Sequence, residues 1–181
     1  RRRLSAQDYG LAVDAQVGAI ADTGANYVAI GTPYDEEFLP ILRLWVKGAR
    51  KNGLNVWFRG NFSGWEGWFG YDKNVSREKH IEMAADFISK NPDIFENGDI
   101  FTACPECENG GPGDPRYETS LEDFRRFMID ERRVVDASFQ KIDKRVLTNF
   151  NSMNLDVAGR VYDRQTLDVM GNLIVFDHYA L

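Results

Sequence analysis

Histidine and cysteine occur only twice each in this chain of 181 residues, and no apolar run approaches the roughly 18 residues that a membrane span requires. The first scarcity restricts metal chemistry. A structural zinc site takes four Cys or His ligands, so Cys104 and Cys107 would have to recruit His80 and His178 from two other elements. Two cysteines also fall short of the disulfide framework of a small secreted domain, which leaves the compartment open. The missing apolar run excludes a membrane-spanning helix, and no membrane partner is expected.

Positive charge is short as well. Against 28 Asp and Glu stand 22 Lys and Arg, a net charge of -6, whereas affinity for nucleic acid rests mainly on cations that neutralise phosphates. A general polyanion binder is excluded, and the short cluster Arg1, Arg2, Arg3 reads as a solvated terminus. Neither G-x-G-x-x-G nor G-x-x-x-x-G-K-[ST] occurs, so no nucleotide fingerprint is present and no cofactor is expected. The chain opens without Met and shows no signal-peptide apolar region, and its N-terminus is read as shortened.

What is present is the composition of a globular protein, 43% hydrophobic and 13% aromatic, at a length that suits one domain over residues 1–181. Helical periodicity alternates with short apolar runs from end to end, with no linker between. A helix from Ser5 to Gly24 precedes the strand "NYVAIGTP". Asp35 is placed to cap a second helix that carries Phe38, Leu42, Trp45, Val46 and Ala49 and ends at Gly53, before the strand "LNVWFRGNF". Ser76 opens a third helix, stopped by Asn91 and Pro92, and "DIFTAC" follows. Ser120 and Asp123 resemble a capping box for a helix carrying Phe124, Phe127, Met128, Val135, Phe139 and Ile142. "RVLTNFN", one or two helices over 157–170 and "NLIVFDHY" complete the chain.

Five apolar strands separated by helices mean an α/β protein with parallel pairing, because only a crossover brings the chain back to the same end of the sheet. Continuous apolar runs predict a sheet buried on both faces. A doubly wound sheet would be expected to carry a glycine fingerprint. Here the strands lead instead into "RGNFSGW", "PECENGG", "NFNSMN" and "DHYA", polar and aromatic segments that a barrel gathers round one pocket. The expectation is a partial (β/α)8 TIM barrel of five parallel strands, a fragment lacking the first strand and the last two units. Its two open edges call for another chain or self-association to complete it.

Chemistry concentrates in "DIFTACPECENGGPGDP". The C-x-x-C of Cys104 and Cys107 admits a redox reading, a zinc reading, and a packing reading with an optional disulfide. The redox reading is the weaker for lack of a helix after it to acidify the first thiol. Glu106 follows a buried strand and a proline, placed to be desolvated and to act as an acid. Equally, Glu106 or Glu108 caps the loop or pairs with Arg116. In "SGWEGWFGYD", Trp65, Trp68, Phe69 and Tyr71 offer flat faces to sugar rings or plug the pocket mouth. Arg59 with Asn61, and Asn149 with Asn151, close two strands at alternate positions. Each pair either binds hydroxyls or bonds neighbouring strand-end carboxylates. His80 reads as lying on a helix face, and Asp177 as a structural partner.

With "FTACPE" at a middle strand and "FDHY" two strands later, the chain resembles the clan A glycoside hydrolases, the cellulase-like (β/α)8 barrels, over nearly its whole length. The resemblance implies a retaining hydrolase of β-linked poly- or oligosaccharide, in which one carboxyl protonates the leaving oxygen and a second, about 5–5.5 Å away, attacks the anomeric carbon. It assigns the acid/base to Glu106 and substrate contacts to His178 and Tyr179. Pro105 stands where the family has an Asn, for which Asn109 or Asn151 would substitute. The family's nucleophile, a Glu ending the seventh strand, would lie beyond Leu181, so the chain alone is expected to be inactive. Two other readings remain open: a carbohydrate-binding or scaffold module without turnover, and a metal-dependent barrel enzyme using Glu106, Glu108 and His178.

Overall fold

The computed structural model describes residues 6–62, 75–109, 115–116, 120–149, 152–170 and 173–177. Strands β1 (Tyr27–Ile30), β2 (Asn55–Phe58), β3 (Ile100–Thr102) and β4 (Leu147–Asn149) form one parallel sheet in the order β1-β2-β3-β4. Strands β5 (Ser152–Asn154) and β6 (Val175–Asp177) pair in parallel as a second, two-stranded sheet. Six α-helices accompany them among the described residues: α1 (Ala6–Asp22), α2 (Leu39–Lys51), α3 (Arg77–Lys90), α4 (Leu121–Lys141), α5 (Leu155–Val161) and α6 (Arg164–Met170). One long helix links each neighbouring pair of the four-stranded sheet, as parallel pairing requires. The chain is α/β.

The fourth apolar run departs from expectation. Among the described residues of 145–151 only Leu147–Asn149 is strand, β4, which pairs to β3, and the three residues after the run, Ser152–Asn154, form an unexpected strand, β5, which pairs to β6. Helix α2 also begins later than Asp35 suggested. Residues 35–38 form a turn in which the Phe38 N–H bonds the Asp35 carbonyl at 3.0 Å. Phe38 then takes the cap position without a side-chain bond, and Pro40 falls in the first turn, where its missing N–H costs nothing. Ser76 and Ser120 do cap as read, accepting from the backbone N–H of Lys79 and Asp123 respectively, each at 3.1 Å.

Alternation along the strands sorts the sheet into two unlike faces. Val28 and Ile30 of β1, Val56 and Phe58 of β2, and Phe101 of β3 lie on one face and are buried against Val13, Val17, Leu42, Ala49, Ile88 and Phe139 of the helices. The other face is not covered as the apolar runs predicted. Across it runs the row Ala29, Trp57, Ile100, Leu147, of which Ala29 is exposed, Trp57 and Ile100 are half-buried, and Leu147 is 45% exposed. Residues of α1 to α4 pack against the first face, and β1 and β2 bury every second residue, whereas β3 and β4 also bury Thr102 and Asn149 at their C-terminal ends.

A second core lies beyond the C-terminal end of β3, where Cys104 and Cys107 pack with Phe124, Phe127 and Met128 of α4, Val157, Ala158 and Val161 of α5, and Met170 of α6. His80 lies on a helix face as read, and is fully buried there between α3 and α4. Its Nδ1 pairs with the equally buried carboxylate of Glu131, and its ring meets Phe62 edge-on at 5.3 Å. At the opposite end of the sheet Asp99, fully buried just before β3, accepts from the N–H of Val56 at 2.9 Å and of Glu96 at 2.8 Å and pairs with Arg50. Its own carbonyl takes the Leu147 N–H at 2.8 Å. One residue thereby aligns the starts of β2, β3 and β4.

Candidate functional site

The segment after β3 turns back on itself within four residues. Cys104 and Cys107 are joined by a disulfide, with Cα atoms 5.2 Å apart and both side chains fully buried in the second core. The bond, with both side chains buried, fits the packing reading with a disulfide, and a bonded pair offers no thiolate there for zinc. Among the described residues no group of three or more His, Cys, Asp or Glu is arranged to hold a metal ion.

Inside this ring Glu106 has φ +52°, a left-handed conformation that residues with a Cβ seldom adopt. Its carboxylate, about one-third exposed, meets the Arg59 guanidinium at 3.2 Å. Arg59 continues β2, its N–H bonding the Ile30 carbonyl at 2.9 Å. By alternation it falls on the open face with Trp57. The alternative of a bond to a neighbouring strand-end carboxylate is thus the one observed for Arg59.

Next to this pair the open face carries a bonded polar row. The Trp57 indole N–H donates to the Thr102 hydroxyl at 2.8 Å, and that hydroxyl donates to the Asn149 side-chain carbonyl. Trp57, Arg59, Thr102, Glu106 and Asn149 thus gather at the C-terminal ends of β2, β3 and β4. The ends of β1 and β2 are drawn together from below. Tyr34 is buried; its hydroxyl donates to the Thr102 carbonyl at 2.9 Å and accepts the Gly60 N–H at 3.1 Å, while its own N–H bonds the Asn61 carbonyl at 2.7 Å. Burial pushes the Tyr34 phenol well above its ordinary value. Gly60 has no room for a side chain, since a Cβ there would sit 2.1 Å from the Thr32 carbonyl oxygen.

Glu108 behaves differently from Glu106. It is only 1% exposed and accepts the Asn154 N–H at 2.9 Å. Its other carboxylate oxygen has no hydrogen-bond partner among the described residues. Arg116 donates to the Glu108 carbonyl at 2.8 Å rather than to a carboxylate in this bond. Burial raises the Glu108 carboxyl above the ordinary 4.5, and burial followed by the Glu108 charge raises Tyr162. The desolvation that the sequence suggested for Glu106 therefore acts on Glu108.

A pH prediction follows from that shift. The folded state binds the Glu108 proton more tightly than the unfolded state, so this carboxyl favours the fold below pH about 4.5 and takes stability away as pH rises from there through its raised folded value. Glu108→Gln keeps an acceptor for the Asn154 N–H and cannot ionise. Its stability relative to the parent therefore rises with pH across that window and then levels off. Chemical denaturation at a series of pH values measures the difference, and a constant offset would contradict it.

Compared with family models, curated proteins and solved structures, the chain matches none.

Of the sequence-assigned residues, the structure brings Arg59, Glu106 and Asn149 to one face, and sets Glu108 beneath them. Asn61 joins through its carbonyl to Tyr34. The backbone of Asn109 closes a short 3-10 turn (Cys107–Asn109), while its side chain lies outside the described residues, as do Trp65, Trp68, Asn151, His178 and Tyr179. Trp57 and Thr102 were missed, although strand alternation from Arg59 would have found Trp57. A cavity of about 800 Å³ shares Tyr34 with this site and is lined further by Phe62 and Phe87 with Asp35, Glu37 and Asp86. No helix among the described residues is long and apolar enough to cross a membrane.

Proposed function

We propose that the chain is part of a (β/α)8-barrel glycoside hydrolase that cleaves β-linked poly- or oligosaccharide with retention, Glu106 acting as general acid/base and the nucleophilic glutamate lying outside residues 1–181. The observation that carries the reading is the Glu106 carboxylate at the C-terminal end of β3, partly exposed and facing Arg59 at the end of β2. In parallel α/β folds the C-terminal strand ends are where reacting groups collect. Arg59 orients the carboxyl, and the Thr102 and Asn149 row offers polar atoms beside it. Glu108 is too buried to face a sugar ring, so the attacking carboxylate has to come from another strand.

Two features favour a barrel over a doubly wound sheet. The order β1-β2-β3-β4 has no reversal, whereas doubly wound sheets reverse at a switch point. The uncovered apolar row Ala29, Trp57, Ile100, Leu147 suits the inner wall of a barrel, which is filled by side chains from strands on the far side. Among the described residues β1 and β4 are the edges of one sheet and β5 and β6 of the other, and a closed barrel would need β4 and β5 brought side by side and further strands, in the same chain or a second one, between β6 and β1.

The test is hydrolysis by the protein continued past Leu181 to its seventh strand, assayed on β-linked gluco-, manno-, xylo- and galacto-oligosaccharides, with proton NMR to read the first-formed anomer. Cleavage with retained configuration is expected for at least one. Absence of a glutamate after that strand, or binding without cleavage, would overturn the enzyme in favour of a carbohydrate-binding module.

A further inference from the structure

We propose that the Cys104–Cys107 disulfide is the positioning clamp of the Glu106 carboxylate. The inference rests on the reading of Glu106 as acid/base, but its geometry is independent of any substrate. The ring encloses just Pro105 and Glu106. Proline fixes its own φ, so Glu106 is the residue left to turn the chain, and it does so at φ +52°. Such conformations persist where surrounding structure over-determines them. Here both ends of the two-residue link are pinned: the two sulfur-bearing side chains are fully buried against Phe124, Phe127, Met128 and Val161, and the next residue, Glu108, is held by Asn154 and Arg116.

Asp143, the other non-glycine residue with positive φ among the described residues, shows the contrast. It follows the end of α4 and its N–H bonds the Gln140 carbonyl at 3.1 Å, an ordinary way to stop a helix. Glu106 ends no helix. Nor is the bond suited to global stabilisation, because the entropy a cross-link removes from the unfolded chain grows with loop length and is least for so small a ring. What a four-residue ring controls is the direction of the side chain inside it, and that side chain points at Arg59.

The clamp is tested by NMR of the Arg59 Nε–H cross-peak. In the disulfide-bonded protein, Glu106→Gln is expected to move this peak clearly. In the Cys104→Ala/Cys107→Ala background the same substitution is expected to move it by less than about a third as much, because the carboxylate no longer faces the guanidinium. An equal movement in both backgrounds would overturn the proposal. Should the cysteine-free chain fail to fold, the thiol–disulfide equilibrium decides. Two thiols and one oxidised glutathione give the ring disulfide and two reduced glutathiones. The equilibrium constant for closure is expected to be about fivefold larger in Glu106→Gly than in Glu106→Ala, since glycine alone enters the left-handed region freely. Equal constants would overturn the proposal. Neither measurement involves carbohydrate, so failure of the hydrolase reading leaves both intact. With activity in hand, loss of the disulfide lowers kcat and leaves KM nearly unchanged.

Discussion

If Glu106 is the general acid proposed above, Glu106→Gln is expected to lower turnover of β-linked oligosaccharides by about 10²–10⁴-fold in the catalytically complete protein, the usual contribution of such a group. The substitution keeps the length and shape of the side chain and an acceptor for Arg59, 3.2 Å from the carboxylate in the parent. It removes the proton that the departing oxygen needs. The loss in kcat/KM, which reports the first step, should therefore depend on the leaving group: large for a sugar alcohol, small for an activated aryl glycoside whose phenolate leaves unaided. Meanwhile kcat falls for both, because the same residue is the base of the second step. Values of kcat/KM on the two substrate types separate this from a folding defect, which would lower both alike. Unchanged turnover would overturn the assignment of the acid to Glu106, and Glu108, 1% exposed, could not replace it in this conformation.

The features that this experiment depends on were unequally visible in the sequence. Strands β1, β2 and β3 were legible because each is a short apolar run bounded by Gly, Pro or Asn, and the caps at Ser76 and Ser120 because capping is a local bond within three residues. The extra strand after the fourth run was not legible. Nothing in "RVLTNFNSMN" marks where pairing passes from β3 to β6, since the neighbour of a parallel strand is set by distant crossovers. The open face was hidden for a related reason: Trp57 and Ile100 are as apolar as Val56 and Phe101, and only the placement of the helices leaves the first pair half-exposed.

At the candidate site, residue type and position identified Glu106 and Arg59 separately, and the fold supplied their pairing. The disulfide stood in the sequence as one option among three, because spacing permits a bond without requiring it. The left-handed turn at Glu106 is a consequence of closing that ring on Pro105, and no propensity would have placed a glutamate there. His80 became a buried partner through Glu131, 51 residues away, which local periodicity does not register.

Asp99→Ala is expected to destabilise the protein by about 3–5 kcal/mol, the range seen when one partner of a buried ion pair is removed. In the parent its carboxylate is fully buried and receives the Val56 and Glu96 N–H groups together with Arg50, whose side chain is 18% exposed. Alanine leaves the Val56 and Glu96 N–H groups without their acceptor, beside the starts of β2 and β3, each with its own desolvation cost. It also strips Arg50 of its buried counter-charge, although Glu96 at 3.4 Å and the Leu54 carbonyl at 3.3 Å remain beside it. For a chain of this size the loss corresponds to a fall in melting temperature of about 6–20 °C. Asp99→Asn retains one acceptor and should lie between the two. Thermal and urea denaturation of the three proteins measure the series. A loss below about 1 kcal/mol for alanine would show that the Val56, Glu96 and Arg50 groups find water or other acceptors. The alignment of β2 with β3, and with it the approach of Arg59 to Glu106, would then depend on the apolar face alone.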